Sequence, residues 1–512
     1  KMSLDAKIAA LAEKYLPLAS EWLMEAIRIP ADTYEQDPNS GMSNHEGPRL
    51  HYLMDQIRKH KCVVEHDDVW FDEFGNICWY IEDKEEEMPS AEKKVVYFDG
   101  HTDTVDPLPQ QWTTVLGGGV HAFNGLIDKS KIDRAALEQN IGWVPKEEEY
   151  ENCIWGRGCA DQLAGVISQM MATKIMLELK SEGAMKNVIV RSVGTVAEED
   201  NDGCGPMYIM RKGLNGKGAE FIPDCFVFTE GTGDSTRSGL GIYRGQRGRM
   251  QIEVEVQGSS CHGSMPHMGK NPLEWGSRIL VEATEQVENG EGILDHDFLG
   301  KGTRTASWAK LDTPSDCAVP DRFTFRFDRR MTVGETPAMC VEMVEKLPAI
   351  AKARQAGLTV TVSVPHYTEL SWKGYNPDND QIYMGWETPE DHPAIVAATQ
   401  SYSQVITPNI TEEHNKALDN YIKPEPHVGR WIFSTDGVGV PLPTTHTAFE
   451  VPEHKRWIEV AGFKYPAMLG LGAGSEQNTH SCGEVIHKIE LQHACAWMAR
   501  FPSQFAEVAL KK

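Results

Sequence analysis

The chain reads as an α/β protein: a mostly parallel sheet covered by helices, interrupted by a smaller α+β domain. Three observations predict this. Apolar strand-like runs alternate with helix-like segments through the first half of the chain, as in βαβ units. Strict period-two alternation then takes over after about Arg244. Finally, 512 residues exceed the roughly 250–300 at which single cores stop growing, so two domains are expected.

The first element is a helix, with Leu11, Tyr15, Leu16, Trp22, Leu23 and Ile27 at helical spacing and Pro30 closing the run. A second helix is expected from Arg49 to Lys59. Val95-Val96-Tyr97-Phe98, Val188 to Val196 and Cys225-Phe226-Val227-Phe228 are apolar runs with strand propensity, and Ala164 to Leu179 is a long helical segment between them.

Met250 to Val256, Phe323 to Phe327 and Leu358 to Val362 alternate strictly, which places one face on a core and one in water. With helices expected near Pro272–Val287 and Pro337–Ala353, they form an α+β insert. The expected division is a catalytic domain of residues 1–244 and 369–512 around an inserted domain of residues 245–368. Two segments look like additions, about Pro107 to Asn152 and about Thr407 to His427. Loops of this length are commonly functional, so they are expected to shape a substrate pocket.

Composition excludes some partners. A net charge of -25 opposes nucleic-acid binding, which needs clustered Lys and Arg. No run of about 18 apolar residues is present to span a membrane. The start, Lys1 to Lys7, leads into an amphipathic helix, not into the apolar centre of a signal peptide. Eleven cysteines without a CxxC pair read as reduced thiols, so a cytoplasmic location is expected.

The chemistry lies at strand ends. His101-Thr102-Asp103 follows the strand ending at Phe98-Asp99-Gly100, Glu198-Glu199-Asp200 follows Val188–Val196, and Glu230 follows Cys225–Thr229. Ligands of open α/β sheets bind beyond the carboxyl ends of the strands. Three strands therefore deliver imidazole or carboxylate groups to one edge. Gly156-Arg157-Gly158-Cys159-Ala160-Asp161 lacks both the dinucleotide glycine spacing and the Lys-Ser/Thr of a nucleotide loop.

Taken in order, these pieces read His101-Thr102-Asp103-Thr104-Val105, Gly156 to Asp161, Glu198-Glu199, Phe228-Thr229-Glu230, and His480 within Asn478-Thr479-His480-Ser481-Cys482-Gly483-Glu484. The series resembles the co-catalytic zinc family of acetylornithine deacetylase, succinyl-diaminopimelate desuccinylase, carboxypeptidase G and aminoacylase. The resemblance covers nearly the whole chain, including the turn Gly258 to Pro266 around His262. Thr313-Pro314-Ser315 and Phe327-Asp328-Arg329-Arg330-Met331-Thr332 look most like the selenium-metabolism-linked hydrolase branch. Cys317 stands where many relatives carry an Asn before Pro320.

The resemblance implies a zinc-exopeptidase-like catalytic domain with a ferredoxin-like lid that also dimerises. It implies two divalent metal ions, zinc or else cobalt or manganese. His101 and Glu230 would bind one ion, Glu199 and His480 the other, and Asp161 both. Asp103 would orient His101 through its far ring nitrogen, Glu198 would be the general base, and His262 would stabilise the oxyanion. Arg329 and Arg330 are candidate anchors for a substrate carboxylate. His121, His267 and His487 read as ordinary hydrogen-bonded or surface residues. The expected reaction is hydrolysis of an amide bond in a small N-acyl amino acid or dipeptide. A carbamoyl or ureido amidohydrolase is the alternative, ahead of an aminopeptidase or a non-catalytic binding protein.

Overall fold

The computed structural model describes residues 2–36, 45–120, 122, 127–441 and 466–511. The first sheet takes β1 (Val69–Phe71), β2 (Ile77–Glu82), β3 (Lys94–His101), β4 (Val188–Thr195), β5 (Cys225–Phe228) and β6 (Ile242–Gln246). A second sheet follows, with β7 (Gly248–Gln257), β8 (Thr303–Asp312), β9 (Arg322–Met331), β10 (Thr359–Ser363) and β11 (Ile382–Tyr383). The chain returns to the first sheet with β12 (Trp386–Glu387), β13 (Val428–Trp431) and β14 (Ala467–Gly470).

The first sheet runs β1-β2-β4-β3-β5-β14-β6-β12, with β13 also pairing β6. Its four central strands, β4, β3, β5 and β14, are parallel. The flanks are mixed, because β1, β2, β12 and the β14–β6 contact pair antiparallel. The sequence predicts the parallel centre but not the antiparallel margin. Only residues 72–76 separate β1 from β2, too few for a parallel crossover, so the two close as a hairpin.

One face of this sheet is covered by α1 (Leu4–Gln36), α2 (Gly47–Lys59), α3 (Ala164–Glu178), and two later helices, Pro393–Val405 and Lys488–Leu510. The first helix continues past Pro30, where the sequence reading ended it. The α3 helix is buried around most of its circumference, Gly165 included. A Cβ at Gly165 would meet the Thr229 carbonyl at 2.1 Å, so the glycine lets the helix approach the end of β5.

The second sheet runs β8-β9-β7-β10, all antiparallel, with β11 also on β7. Helices Pro272–Glu288, Pro337–Glu345 and Pro348–Gln355 join its buried core of Met250, Ile252, Val254, Phe325 and Ile350. This sheet reaches beyond residue 368, since β11 comes from residues 382–383. Its margin β8 is exposed along most of its length.

The two additions are packed against each other. Trp143 stacks on Tyr421 with ring centroids 5.1 Å apart. Trp112, Leu116, Leu137, Trp143, Tyr150 and Tyr421 belong to the main core. None of the described helices is long and apolar enough to cross a membrane.

Candidate metal centre

Parallel register brings the strand ends together. His101, last in β3, sits opposite Thr195, last in β4, and the chain beyond β4 turns at once into Glu198 and Glu199. Asp99 of β3 sits opposite Phe228, so Glu230 follows β5 at the same level. His101 Nε2 lies 2.9 Å from Asp161 Oδ1, 3.4 Å from Glu230 Oε2 and 3.7 Å from Glu198 Oε2. His480 Nε2 lies 3.0 Å from Glu199 Oε2 and 3.1 Å from Asp161 Oδ2. The two oxygens of Asp161 thus face different imidazoles. Three overlapping groups have donor atoms within 4.8 Å of one another: His101, Asp161 and Glu230; His101, Glu198 and Glu199; and Asp161, Glu199 and His480.

Four buried carboxylates share this space with two imidazoles. Burial, reinforced by neighbouring carboxylates, pushes Glu198 and Glu230 well above the usual carboxylate range and Glu199 up to about 7. Asp161 goes the other way: burial opposes its ionisation, but hydrogen bonds to His101 and His480 outweigh it. Glu199 Oε1 and Glu230 Oε1 are buried without a hydrogen-bond partner. Crowded oxygen donors, excess negative charge and unpaired lone pairs are what divalent cations relieve.

Asp103 meets the far ring nitrogen of His101 with both its backbone and its side chain. His101 Nδ1 meets the Asp103 backbone carbonyl at 3.1 Å, while the Asp103 carboxylate is 3.5 Å from that nitrogen. Its two oxygens also accept the amides of Glu198 and Glu199, at 3.1 and 2.9 Å. Asp103 therefore ties the His101 strand end to the turn that carries both glutamates.

Glu484, to which sequence spacing assigns no role, organises the Asp161 loop. Its Oε1 accepts the amides of Ala160 and Asp161, both at 2.9 Å. Its Oε2 accepts from the Gly158 amide at 3.1 Å and Arg157 Nη1 at 2.9 Å. The only signal available was its place four residues after His480. Gln162 adds a donor, Nε2 reaching Glu230 Oε2 at 3.0 Å.

The cleft over these residues, ≈ 370 Å³, is completed by Asp202, Arg249, Arg330, Phe433, Ser434 and Thr479. Arg330 reaches Asp328 at 2.7 Å and Ser434 Oγ at 3.0 Å. Arg329, a candidate carboxylate anchor by sequence, is instead buried away from the cleft and paired with Glu335. Adjacent residues of a strand point to opposite faces, so only one of the pair could enter the cleft. His262 is exposed on the inserted domain, its Nδ1 held by Ser264, and it does not line its own chain's cleft. His267 is exposed; His487 is buried against Glu149 at 2.9 Å. His121 lies outside the described residues.

None of the described residues of the additions lines the cleft. They brace the His480 loop instead. The Trp143 amide donates to Asn478 Oδ1 at 2.9 Å, and Asn478 Nδ2 returns a bond to the Trp143 carbonyl at 2.8 Å. His480 itself sits at φ 60°, a backbone state that needs such support.

Residues 244–354 match the family model described as peptidase dimerisation domain. Over 494 residues, 96% of this chain and 95% of the relative, the sequence is 30% identical to the uncharacterized protein YgeY of Escherichia coli (strain K12). The chain belongs to the M20 peptidase family. A succinyl-diaminopimelate desuccinylase of Paracoccus denitrificans (strain Pd 1222) is 25% identical over 268 residues, 52% of this M20 chain and 58% of the relative. Among solved structures, the M20 family metallo-carboxypeptidase Sso-CP2 from Sulfolobus solfataricus superposes with a TM-score of 0.58 at 15% identity, covering 96% of this chain and 99% of that one. The di-peptidase Dug1p from Saccharomyces cerevisiae gives 0.59 at 14% identity, covering 99% of both. These likenesses carry the fold. This M20 chain is accordingly an amide-bond hydrolase with a catalytic α/β domain, a dimerisation domain and a candidate divalent-metal site.

Proposed function

We propose that the chain hydrolyses the amide bond of a small N-acyl amino acid or dipeptide at a dinuclear metal centre, with residues 1–244 and 369–512 as catalytic domain and 245–368 as lid, to whose sheet residues 382–383 add a strand. The observation that carries this reading is Asp161, whose two oxygens face His101 and His480 separately. His101 and Glu230 would hold one ion with Asp161, and Glu199 and His480 the other. Nitrogen and oxygen donors suit zinc, with cobalt or manganese as alternatives. When bound, such ions act as Lewis acids toward the scissile carbonyl and the attacking water.

The chain's own groups do the rest. Glu198, buried at the cleft 3.7 Å from His101 Nε2, takes a proton from the attacking water and returns it to the leaving amine. Asp103 holds the Glu198 amide and so fixes where that carboxylate begins. Arg330 and Ser434 offer donors to a substrate carboxylate across the cleft. His262, exposed on the inserted domain, would serve as oxyanion donor in the cleft of a partner subunit across a lid-mediated homodimer. All eleven cysteines are free thiols, which supports a reducing, cytoplasmic setting.

The test is a turnover screen of acetyl, succinyl, carbamoyl and dipeptide substrates with defined metals, run beside Glu198→Ala. The expected result is turnover of an acyl or dipeptide substrate that the variant abolishes while still holding two ions per chain. Preference for N-carbamoyl substrates, or a variant that loses metal or keeps its activity, would overturn the reading.

A further inference from the structure

A second cavity, ≈ 690 Å³, opens on the opposite face of the first sheet from α1 and α3, and it shares no lining residue with the metal cleft. Strand register sets its floor. Tyr80 of β2 sits opposite Arg191 of β4, which sits opposite Tyr97 of β3. Trp70 and Cys78 form the neighbouring row, and residues 208–221 make the wall, with Tyr208 and Phe221 at its two ends.

Arg191 interrupts the apolar strand Val188-Ile189-Val190-Arg191-Ser192-Val193, and it is only 6% exposed. Burying a guanidinium on a sheet face is costly unless the charge is answered. Its Nε donates to the Glu220 carbonyl at 2.9 Å, and its guanidinium lies 3.7 Å from the Phe221 ring centre and 4.9 Å from that of Tyr80. Among the described residues no carboxylate pairs with it. Two of the cavity's three acids are engaged elsewhere, Glu82 with Lys93 at 3.1 Å and Asp72 with the amides of Gly75 and Asn76 at 2.8 and 2.9 Å; the third, Glu220, gives Arg191 its backbone carbonyl but no ion pair among the described residues.

Three further cations stand at the rim. Lys84 Nζ donates to Tyr80 Oη at 3.3 Å, Lys217 lies 5.0 Å from the Phe221 ring centre, and Lys212 5.5 Å from that of Tyr375. None of the three forms an ion pair among the described residues. On a chain of net charge -25, four cations against three carboxylates leave this lining net positive.

We propose that this cavity binds a flat aromatic phosphate monoester of nucleotide size. The volume falls in the range of small-molecule sites. A guanidinium fork matches phosphate oxygens, several converging cations suit a dianion better than one carboxylate, and Trp70 and Tyr208 offer rings to a flat group.

Calorimetric titration of the full-length, metal-loaded protein with adenosine monophosphate tests the assignment, with adenosine and inorganic phosphate as separate arms. The expected result is one saturable site per chain that Arg191→Gln weakens about tenfold or more, the loss of one charge-assisted contact. The exposed pair Lys212→Glu and Lys217→Glu, which leaves the sheet untouched, should weaken it as well. Absence of saturable binding would overturn the proposal, as would binding that all three substitutions leave unchanged, since the nucleotide would then sit elsewhere. Phosphate alone binding as tightly as the nucleotide would overturn the role given to the rings, and adenosine alone doing so would overturn the role given to the cations.

Discussion

Asp161 and Glu484 are joined through the backbone: the Asp161 amide donates to Glu484 Oε1 at 2.9 Å, while the Asp161 carboxylate faces His101 and His480. One glutamate thus positions the residue that the proposed metal centre shares. Glu484→Gln keeps the shape but turns a carboxamide N–H donor toward a loop that presents four donors. Metal affinity should fall about 10–100-fold, as for other outer-shell substitutions. Competition with a chelator, read by metal content per chain, checks this; unchanged affinity would remove Glu484 from the site.

Arg329 and Arg330 should separate cleanly. Arg330→Met is expected to raise KM for carboxylate-bearing substrates about tenfold or more while leaving the melting temperature nearly unchanged, because it removes a charged hydrogen bond at the cleft wall. Arg329→Met leaves Glu335 buried and unpaired, which costs about 3–5 kcal/mol. Denaturant unfolding beside steady-state kinetics distinguishes the two, and a KM effect confined to Arg329 would reverse the assignment.

The lid margin makes a third case. Exposed edge strands are templates for pairing, and β8 carries exposed Trp308 and Leu311. Trp308→Glu combined with Leu311→Glu should shift the chain from dimer toward monomer in sedimentation velocity. A monomeric wild type would overturn the proposed homodimer, and a variant dimer as tight as wild type would place its interface elsewhere.

Acid stability follows from His493. Burial, helped by His414, pushes its imidazole down from 6.5 to about 3. Between those values the unfolded chain binds the proton and the folded chain does not, so stability is full above pH 6.5 and falls as pH drops toward 3. His493→Met should flatten the decline of melting temperature across that window. An unaltered slope would mean that His493 is not neutral in the fold.

The sequence by itself determined the strand ends. Period-two and period-3.6 patterns are local, so His101, Glu198, Glu199 and Glu230 could be set at one edge before any long-range contact was known. What only the tertiary structure decided was where side chains far apart in the chain find their partners. Asp103 serves the amides of Glu198 and Glu199, Glu484 serves the Asp161 loop, and Trp143 of the first addition braces the His480 loop. Arg330 faces the cleft and Arg329 does not. The physical reason is the same in each instance. A hydrogen bond between distant residues depends on loop paths and strand register, and no local spacing encodes them.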